Sequence, residues 1–381
     1  MAHLPRIGID YTPAYEQGGG IGRYVRELVA ALVAQRDLYD YRLFVAGAAF
    51  PFTAPFQASR VSWSPITVTP SWLARIWHRL RLPLVVEAFT GKLDLFHATD
   101  FVLPPTLLQT VTLLTVHDLS FVRVPDSAFP ALKLYLDQVV PRSVMRADHI
   151  LADSIATKVD LVDLYGVVPE KVTVLLSGVN QSFARATDPV FLMAMRNKYG
   201  LGSWPYLFSV GTVQPRKNYA RVIQALALLH KRGFDLHLVI AGGKGWLDDP
   251  IYATVHEQKM RDFVHFIGFA DDADLPALYS AASCFVFPSL YEGFGLPVLE
   301  AMRCGTPVVT SNVSSLPEVA GDAALTVDPY DVEAIADALE RIVYSSSLCE
   351  TLVSRGYERA RQFTWEASAQ HLLDIYAQLL A

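Results

Sequence analysis

Cysteine is scarce in this sequence, and long hydrophobic runs are missing from it. The three cysteines, Cys284, Cys304 and Cys349, are odd in number and lack metal-ligand spacing, so neither a disulfide framework nor a cysteine-bound metal is expected. We interpret them as buried thiols in a reducing compartment. No run of about 18 uninterrupted apolar residues occurs, which excludes a predicted membrane-spanning helix. The apolar stretch at Ile7 is too short for a signal peptide, so we expect a cytoplasmic protein.

Basic residues are also in short supply. The chain has 32 Lys and Arg against 38 Asp and Glu, a formal net charge of −6, and this balance does not favour a nucleic acid as partner. Low-complexity segments are missing too, because Gly and Pro are spread along a chain that is 52% hydrophobic. With 381 residues, the whole chain is expected to fold into two domains.

The sequence does contain a repeated alternation of short apolar runs, rich in β-branched residues, with longer helical patterns. This alternation predicts an α/β fold in which helices cover parallel sheets. In the first half, strands are predicted at 6–10, 41–46, 93–98, 111–117, 149–153 and 172–176. In the second half, they are predicted at 206–211, 237–241, 264–268, 284–288, 308–311 and 324–327.

A pause in this pattern near residue 185 predicts the domain boundary. We expect a Rossmann-like domain over 1–185, a second over 186–363, and a C-terminal helix over 364–381 that joins the first domain. One face of that helix carries Leu372, Leu373, Tyr376 and Leu380. Ligands of such sheets bind outside the carboxyl ends of the strands, so we expect the two sheets to face a central cleft.

A glycine-rich loop follows the first predicted strand and opens an amphipathic helix. Its glycines, Gly18, Gly19 and Gly20, are consecutive. Because backbone N–H groups at a glycine-rich helix start can approach an anion closely, Gly19 and Gly20 are candidates for phosphate binding. A flexible glycine cap is the alternative. The spacing differs from that of dinucleotide-binding loops and disfavours a nicotinamide enzyme.

Two adjacent cations, Arg216 and Lys217, come shortly after the predicted strand that ends with Gly211, which Thr212 follows. The planar fork of an arginine and the point charge of a lysine together suit a diphosphate. A solvated surface pair is the alternative. Because ligands of this fold class bind after strands, the position favours the phosphate-binding interpretation.

The segment 288–300 follows another predicted strand and is the most informative stretch of the chain. Pro297 suits the first turn of a helix, which places Glu292 before that helix and Glu300 one turn inside it. Carboxylates accept hydrogen bonds from sugar and ribose hydroxyls but repel phosphate, so the pair favours a sugar nucleotide. An ordinary helix with a solvated glutamate at each end is the alternative. The backbone N–H groups expected to face the ligand belong to Gly293, Phe294, Gly295 and Leu296.

A histidine and two aspartates also follow predicted strands of the first domain. The strand that begins at residue 111 leads into His117 and Asp118, and Asp100 follows the strand before it. We expect His117 to face the cleft as a catalytic residue, and Asp118 and Asp100 to lie on its acceptor side. The alternatives are a partly buried histidine with a purely structural partner and an aspartate that only caps its loop.

Taken in this order, these segments resemble the GT4-type family of retaining glycosyltransferases with the GT-B fold, over nearly the whole chain. The resemblance rests on Glu292-x7-Glu300 with its Gly-Phe-Gly core and on Arg216-Lys217-Asn218. The segments 300–309 and 316–319 also look like the family. It implies two Rossmann-like domains and an enzyme, a hexosyltransferase, that moves a sugar from a nucleotide diphosphate to an acceptor.

The resemblance also implies residue roles. In the family, the cations at Arg216 and Lys217 bind the donor diphosphate, the glutamate at Glu292 holds the transferred sugar, and the histidine at His117 lies beside the reacting carbon. The glutamate at Glu300 binds ribose. The remaining donor contacts would come from Gly19, Gly20, Gly211, Thr212, Ile267, Phe269, Ala270 and the 293–296 turn.

One departure from the family pattern concerns Thr212, where many relatives have an arginine. Arg216 and Lys217 would then carry more of the phosphate charge alone. No Asp-x-Asp motif has an obvious role at a strand end, so neither a metal nor another cofactor is expected. Family members retain configuration through front-face attack, in which the leaving phosphate takes the acceptor proton, and we assign no protein nucleophile.

The phrases 116–121 and 211–218 resemble mannosyltransferases of polysaccharide or lipid-linked glycan assembly. GDP-mannose is therefore the favoured donor, and a glycan or lipid-linked molecule the expected acceptor. A UDP-sugar-dependent glycosyltransferase and a non-catalytic nucleotide-sugar-binding protein are the alternatives. A sugar phosphorylase shares the fold but requires pyridoxal phosphate on a lysine.

The segment 71–81 is basic and aromatic, and it resembles an interfacial helix that approaches a lipid-linked acceptor. It suggests a peripheral position at the inner membrane face. An ordinary surface helix with its aromatic side packed inward is the alternative.

Overall fold

The computed structural model describes residues 4–35 and 38–381, and the chain divides into two units. The first unit comprises the chain up to Leu119 together with Leu134–Gly178 and Thr364–Ala381. The second comprises Ser120–Lys133 and Val179–Phe363. Each unit is built on one sheet of parallel strands, as the alternating sequence pattern predicts.

The sheet of the first unit has the strand order β3-β2-β1-β4-β5-β6-β7. Its central strands are almost wholly buried, as expected where helices cover both faces. The order reverses between β1 and β4, which is the place where open α/β sheets bind ligands. The strands are β1 Arg6–Asp10, β2 Asp40–Val45, β3 Val61–Pro65, β4 Leu95–Ala98, β5 Val111–Val116, β6 His149–Ala152 and β7 Val172–Val174.

The sheet of the second unit repeats this arrangement with the order β10-β9-β8-β11-β12-β13. The reversal falls between β8 and β11, so the loops that follow these two strands lie side by side. The strands are β8 Tyr206–Val210, β9 His237–Ala241, β10 Val264–Gly268, β11 Cys284–Phe287, β12 Val308–Ser311 and β13 Leu325–Val327.

Helices connect and cover the strands. In chain order, the first are α1 Thr12–Glu16, α2 Gly20–Val33, α3 Pro70–Ala74, α4 Glu87–Thr90, α5 Ser120–Arg123, α6 Pro130–Arg146 and α7 Ile155–Tyr165. They are followed by α8 Pro189–Lys198, α9 Tyr219–Lys231, α10 Asp249–Glu257, α11 Leu275–Ser280, α12 Leu296–Arg303, α13 Leu316–Ala320, α14 Val332–Tyr344, α15 Ser346–Ala360 and α16 Trp365–Leu379. None of the described helices is long and apolar enough to cross a membrane.

The boundary between the units lies at Gly178–Val179, earlier than residue 185. Val179 and Phe183 are buried in the core of the second unit, together with Phe363, and this packing moves the boundary. The last helix, α16, groups with the first unit and packs against α2, where the ring centroids of Tyr24 and Trp365 are 5.9 Å apart.

Three features differ from the sequence-based expectations. Strand β3 was not predicted because its residues are only half buried, at the edge of the sheet. The segment 71–81 is not one regular helix, since α3 passes into a π-helical turn at Arg75–Arg79. Cys349 is partly exposed, whereas Cys284 and Cys304 are buried as expected.

Candidate active site

In the second unit, a tight turn after β8 presents Arg216 and Lys217. The turn Pro215–Lys217 is a 3₁₀ helix, and Asn218 after it has a positive φ of 63°. The buried Asn218 amide donates to the carbonyls of Pro288, at 2.9 Å, and Pro329, at 2.7 Å. This one side chain therefore ties the cation-bearing turn to the loops that follow β11 and β13.

The two cations meet Glu292 from the loop after β11. Arg216 donates to Glu292 Oε2 and Lys217 donates to Glu292 Oε1, each at 2.7 Å. Arg216 also donates to the carbonyl of Tyr291 at 2.8 Å. All three charged side chains are largely buried. We call Arg216, Lys217 and Glu292 the ion cluster, and it carries one net positive charge when Glu292 is ionised.

The charge of Glu292 follows from its neighbours. Burial by itself raises the pKa of this carboxyl, but Arg216 and Lys217 outweigh burial and lower the pKa to about 2. Glu292 is therefore a carboxylate at neutral pH. Sequence analysis predicted each of these residues at a strand end, but it did not predict that they pair with one another.

A glycine turn connects Glu292 to helix α12. The backbone N–H groups of Gly293, Phe294 and Gly295 have no acceptor within the described part of the protein. Ser315 fixes the turn by donating to the carbonyls of Glu292, at 2.9 Å, and Phe294, at 2.7 Å. Gly295 has a φ of 115°, which a side chain would disfavour. The turn thus offers free N–H donors beside the ion cluster.

Glu300 lies one turn inside α12, as the sequence predicts, but it is 2% exposed. Its Oε2 accepts a hydrogen bond of 2.9 Å from the hydroxyl of Tyr279 on α11. Tyr279 was not predicted from the sequence. It holds one oxygen of Glu300 in a fixed position, and the ribose role of Glu300 stays a prediction.

The other predicted donor residues are spread over the ends of β8 and β10. Gly211 has a φ of 144°, and a β-carbon on Gly242 after β9 would come within 2.0 Å of the Gly211 carbonyl oxygen. The two turns therefore touch backbone to backbone. Beyond β10, the ring of Phe269 is 66% exposed, whereas Ala270 is buried in the core. Thr212 and Ile267 are half buried.

In the first unit, His117 after β5 is buried and hydrogen-bonded through both ring nitrogens. Nδ1 lies 2.8 Å from Asp153 Oδ2, and Nε2 lies 2.9 Å from the carbonyl oxygen of Thr99. A carbonyl oxygen only accepts, so Nε2 carries a proton; with Asp153 ionised, Nδ1 carries a proton too, and the ring is then an imidazolium. Burial lowers the pKa of His117, but Asp153 and Asp100 outweigh burial and raise it to about 9.

Carboxylates surround this imidazolium at the carboxyl edge of the sheet. Burial raises the pKa of Asp10 at the end of β1 to about 6, and it also raises the pKa values of Asp100 and Asp153. Asp100 accepts a hydrogen bond from Gln17, and Asp118 is half buried. Sequence analysis missed Asp10 and Asp153, although each is the last residue of a predicted strand and so met the criterion that identified His117.

The glycine loop that precedes α2 is exposed. A β-carbon on Gly18, Gly19 or Gly20 would meet no other atom within 4 Å, so nothing in the described fold requires glycine there. The steric requirement falls on Gly22, where a β-carbon would lie 2.0 Å from the carbonyl oxygen of Gln17. The phosphate role of Gly19 and Gly20 stays a prediction.

His97, one strand away from His117, has the opposite charge state. Its ring nitrogens lie 2.9 Å from the hydroxyl of Tyr376 and 2.8 Å from that of Thr115. Burial, reinforced by the charge of His117, lowers the pKa of His97 to about 3. His97 is therefore neutral throughout the physiological range.

This contrast predicts how stability depends on pH. The pKa of His117 is raised from its ordinary 6.5 to about 9, so its contribution is complete below pH 6.5 and is lost as the pH rises through 9. We expect the thermal unfolding midpoint to fall between pH 6.5 and 9.5 in the wild type and to fall less in Asp153→Asn. His97→Gln is the matched control and should keep the wild-type slope. Equal slopes in the wild type and Asp153→Asn would contradict the assignment of an imidazolium.

Comparison with sequence families gives two matches that together span most of the chain. The family described as "Glycosyl transferases group 1" matches residues 194–359, and "Glycosyltransferase Family 4" matches residues 18–183. The first match covers the ion cluster and α12, and the second covers His117 and the glycine loop.

Individual relatives agree with these matches. The chain is 34% identical over 374 residues to an O-antigen chain mannosyltransferase B from Escherichia coli, covering 94% of this chain and 96% of the relative. It is 30% identical to the O-antigen chain mannosyltransferase RfbU from Salmonella typhimurium, with 90% of each chain covered. Among solved structures, a sucrose-phosphate synthase from Thermosynechococcus elongatus superposes with a TM-score of 0.77 at 23% identity, over 99% of both chains.

Proposed function

Because the chain belongs to the group 1 glycosyltransferases of Glycosyltransferase Family 4, we propose that it transfers mannose from GDP-mannose to a glycan or lipid-linked acceptor. We propose further that the anomeric configuration is retained. The observation that carries the proposal is the ion cluster, which lies next to the free N–H groups of the glycine turn. Cations and amide donors together are the groups that a diphosphate requires.

Arg216 and Lys217 are proposed to hold the donor diphosphate. A diphosphate that binds here competes with the Glu292 carboxylate for the two cations, because Glu292 holds both of them at 2.7 Å. Once displaced, Glu292 can accept hydrogen bonds from the hydroxyls of the sugar. As the glycosidic bond breaks, negative charge develops on the diphosphate, and preorganised cations and N–H groups stabilise it.

The nucleoside is proposed to bind along the ends of β10 and α12. Glu300, which Tyr279 holds in position, would accept hydrogen bonds from the ribose hydroxyls. The exposed ring of Phe269 offers a surface to the base, while the backbone at Ile267 and Ala270 would form its edge. Gly211 and Thr212 would border the phosphates.

His117 is proposed to act as a fixed positive charge beside the donor sugar, not as a general base. Both of its N–H groups already donate within the protein, and neither ring nitrogen has a free lone pair. This supports front-face attack in which the leaving phosphate takes the acceptor proton. Asp100 and Asp118 are the proposed acceptor-side residues.

We propose that transfer requires no resident metal or other cofactor, since Arg216 and Lys217 supply positive charge where the diphosphate would lie. Activity after chelator treatment should equal that of the untreated protein.

We also propose a peripheral position at the inner membrane face through the segment 71–81. In that segment, Trp72 is 56% and Leu80 64% exposed, beside exposed arginines.

The identity of the donor is tested by a hydrolysis and transfer screen. Because two mannosyltransferases resemble the chain over most of its length, we expect GDP-mannose to be used at least about tenfold more efficiently than any UDP-sugar. The measurement is kcat/KM for GDP-mannose, GDP-glucose, UDP-glucose and UDP-N-acetylglucosamine. Turnover of a UDP-sugar with none of GDP-mannose would replace the mannose assignment with the alternative donor class.

A further inference from the structure

The first unit contains a cavity that the proposed chemistry does not use. It has a volume of about 650 Å³ and lies between the turn that follows α3 and the second half of α6. Arg146, which lines it, is the last residue of α6 and comes just before β6 begins. His117 instead follows the end of β5, the parallel neighbour of β6. The cavity therefore lies toward the amino-terminal edge of the sheet, opposite the His117 cluster.

The walls of this cavity are largely apolar and open to solvent. Leu82 is 49% and Met145 69% exposed, which is unusual for large apolar side chains that line a concave surface. The indole N–H of Trp77 donates to the carbonyl of Leu84, so its ring presents only apolar surface. The apolar wall residues are Trp77, Leu82, Pro83, Pro105, Val139, Pro141 and Met145.

Three arginines line the same cavity. Within the described residues, no carboxylate forms an ion pair with Arg81, Arg142 or Arg146. Arg142 and Arg146 are four residues apart on α6 and repel each other on one helix face. Arg146 is held in place because it donates to the carbonyls of Leu103, at 3.1 Å, and Pro104, at 3.0 Å.

His78 reports the positive potential of this cavity. Burial lowers its pKa to about 4, and the charges of Arg146 and Arg142 contribute to the decrease. His78 is therefore neutral at pH 7 and adds no charge. The cavity combines three uncompensated guanidinium groups with an apolar wall, an arrangement that suits an anion attached to a hydrocarbon chain.

We propose that the cavity binds a lipid diphosphate, with the diphosphate on Arg81, Arg142 and Arg146 and the start of the aliphatic chain along Trp77 and Leu82. Three guanidinium groups match the two or more negative charges of a diphosphate better than the single charge of a phosphodiester headgroup. The volume lies within the usual range for small-molecule sites. The inference deepens the proposed function and rests on it for the view that this lipid carries the glycan acceptor.

The test measures binding without any donor sugar, using the full chain and farnesyl diphosphate as the probe. We expect farnesyl diphosphate to bind at least about tenfold more tightly than inorganic pyrophosphate or farnesol, since each of these lacks one half of the ligand. Arg81→Ala combined with Arg142→Ala should weaken binding at least about tenfold. Leu82→Asn, which removes apolar surface without adding charge, should weaken farnesyl diphosphate binding but not pyrophosphate binding. The matched control is Arg79→Ala, an exposed arginine of the same segment outside the cavity lining, and it should bind as the wild type does.

Two outcomes would overturn the inference. One is equal affinity for pyrophosphate and farnesyl diphosphate. The other is binding only to phosphatidylglycerol vesicles, lost in the double arginine variant, which would make the cavity a membrane headgroup site. A histidine NMR titration gives a second readout, because a bound diphosphate should raise the pKa of His78. Failure of the donor screen with intact lipid binding would contradict the proposed function alone.

Discussion

Replacing Glu292 by glutamine is expected to lower kcat by about 100-fold or more and, at the same time, to tighten the binding of free GDP by roughly tenfold. We expect kcat to fall because the side chain that is proposed to bind the sugar loses its charge. We expect the affinity for GDP to rise because the diphosphate no longer competes with a carboxylate for Arg216 and Lys217. Calorimetric titration with GDP and initial-rate measurements with GDP-mannose check the two halves separately.

The same substitution is expected to destabilise the protein in the absence of nucleotide. Removing one partner of a buried ion pair leaves uncompensated charge and typically costs about 3 kcal/mol. Added GDP should therefore raise the unfolding midpoint of Glu292→Gln more than that of the wild type. The control is Glu333→Gln, which breaks an exposed pair with Arg232. A variant that binds GDP as weakly as the wild type would show that the diphosphate does not use the two cations.

The sequence alone does not predict that substitution of Glu292 changes both turnover and GDP binding. Lys217 and Glu292 are 75 positions apart, and the pattern indicates only that each follows a strand. They meet because β8 and β11 are neighbours at the point where the strand order reverses. Periodicity predicts where strands lie, but it does not predict their order in the sheet. The pairing therefore needed the structure.

The first and last residues of the strands are easier to predict from the sequence than the pairing of side chains. The bounds of β9 and β12 are those that the apolar runs predict, because these strands are buried along their whole length. Strand β3 was missed for the opposite reason. Its residues at the sheet edge alternate Trp63 with serines, and such a short half-polar run resembles a loop.

The charge states of the two histidines also could not be predicted from the sequence. From the sequence, His97 and His117 look alike, since each lies at or just after the end of a predicted strand. Their charges are set by partners that are distant in the sequence: two hydroxyls at His97, and a carboxylate with a backbone carbonyl at His117. Asp153 is 36 positions from His117 and was not among the predicted site residues. Protonation states at this edge of the sheet therefore depend on tertiary contacts.

Lys217→Met is expected to lower kcat by about 100- to 1000-fold, because the lysine charge would stabilise the departing diphosphate. Its side chain is largely buried and lies 4.6 Å from the ring centroid of Phe287, so an unbranched apolar replacement should fit. Lys231→Met, at an exposed position near the end of α9, is the control and should leave kcat unchanged. Initial rates with saturating GDP-mannose give the comparison.

Combining Lys217→Met with Glu292→Gln separates pairing from catalysis. In stability, the two substitutions should couple by about 0.5–3 kcal/mol, since each alone disturbs the same ion cluster and together they remove one positive and one negative charge. In turnover, the losses should multiply, because the proposed roles differ: Lys217 acts on the diphosphate and Glu292 on the sugar. A double variant no slower than the slower single variant would mean that Glu292 serves only to position the two cations.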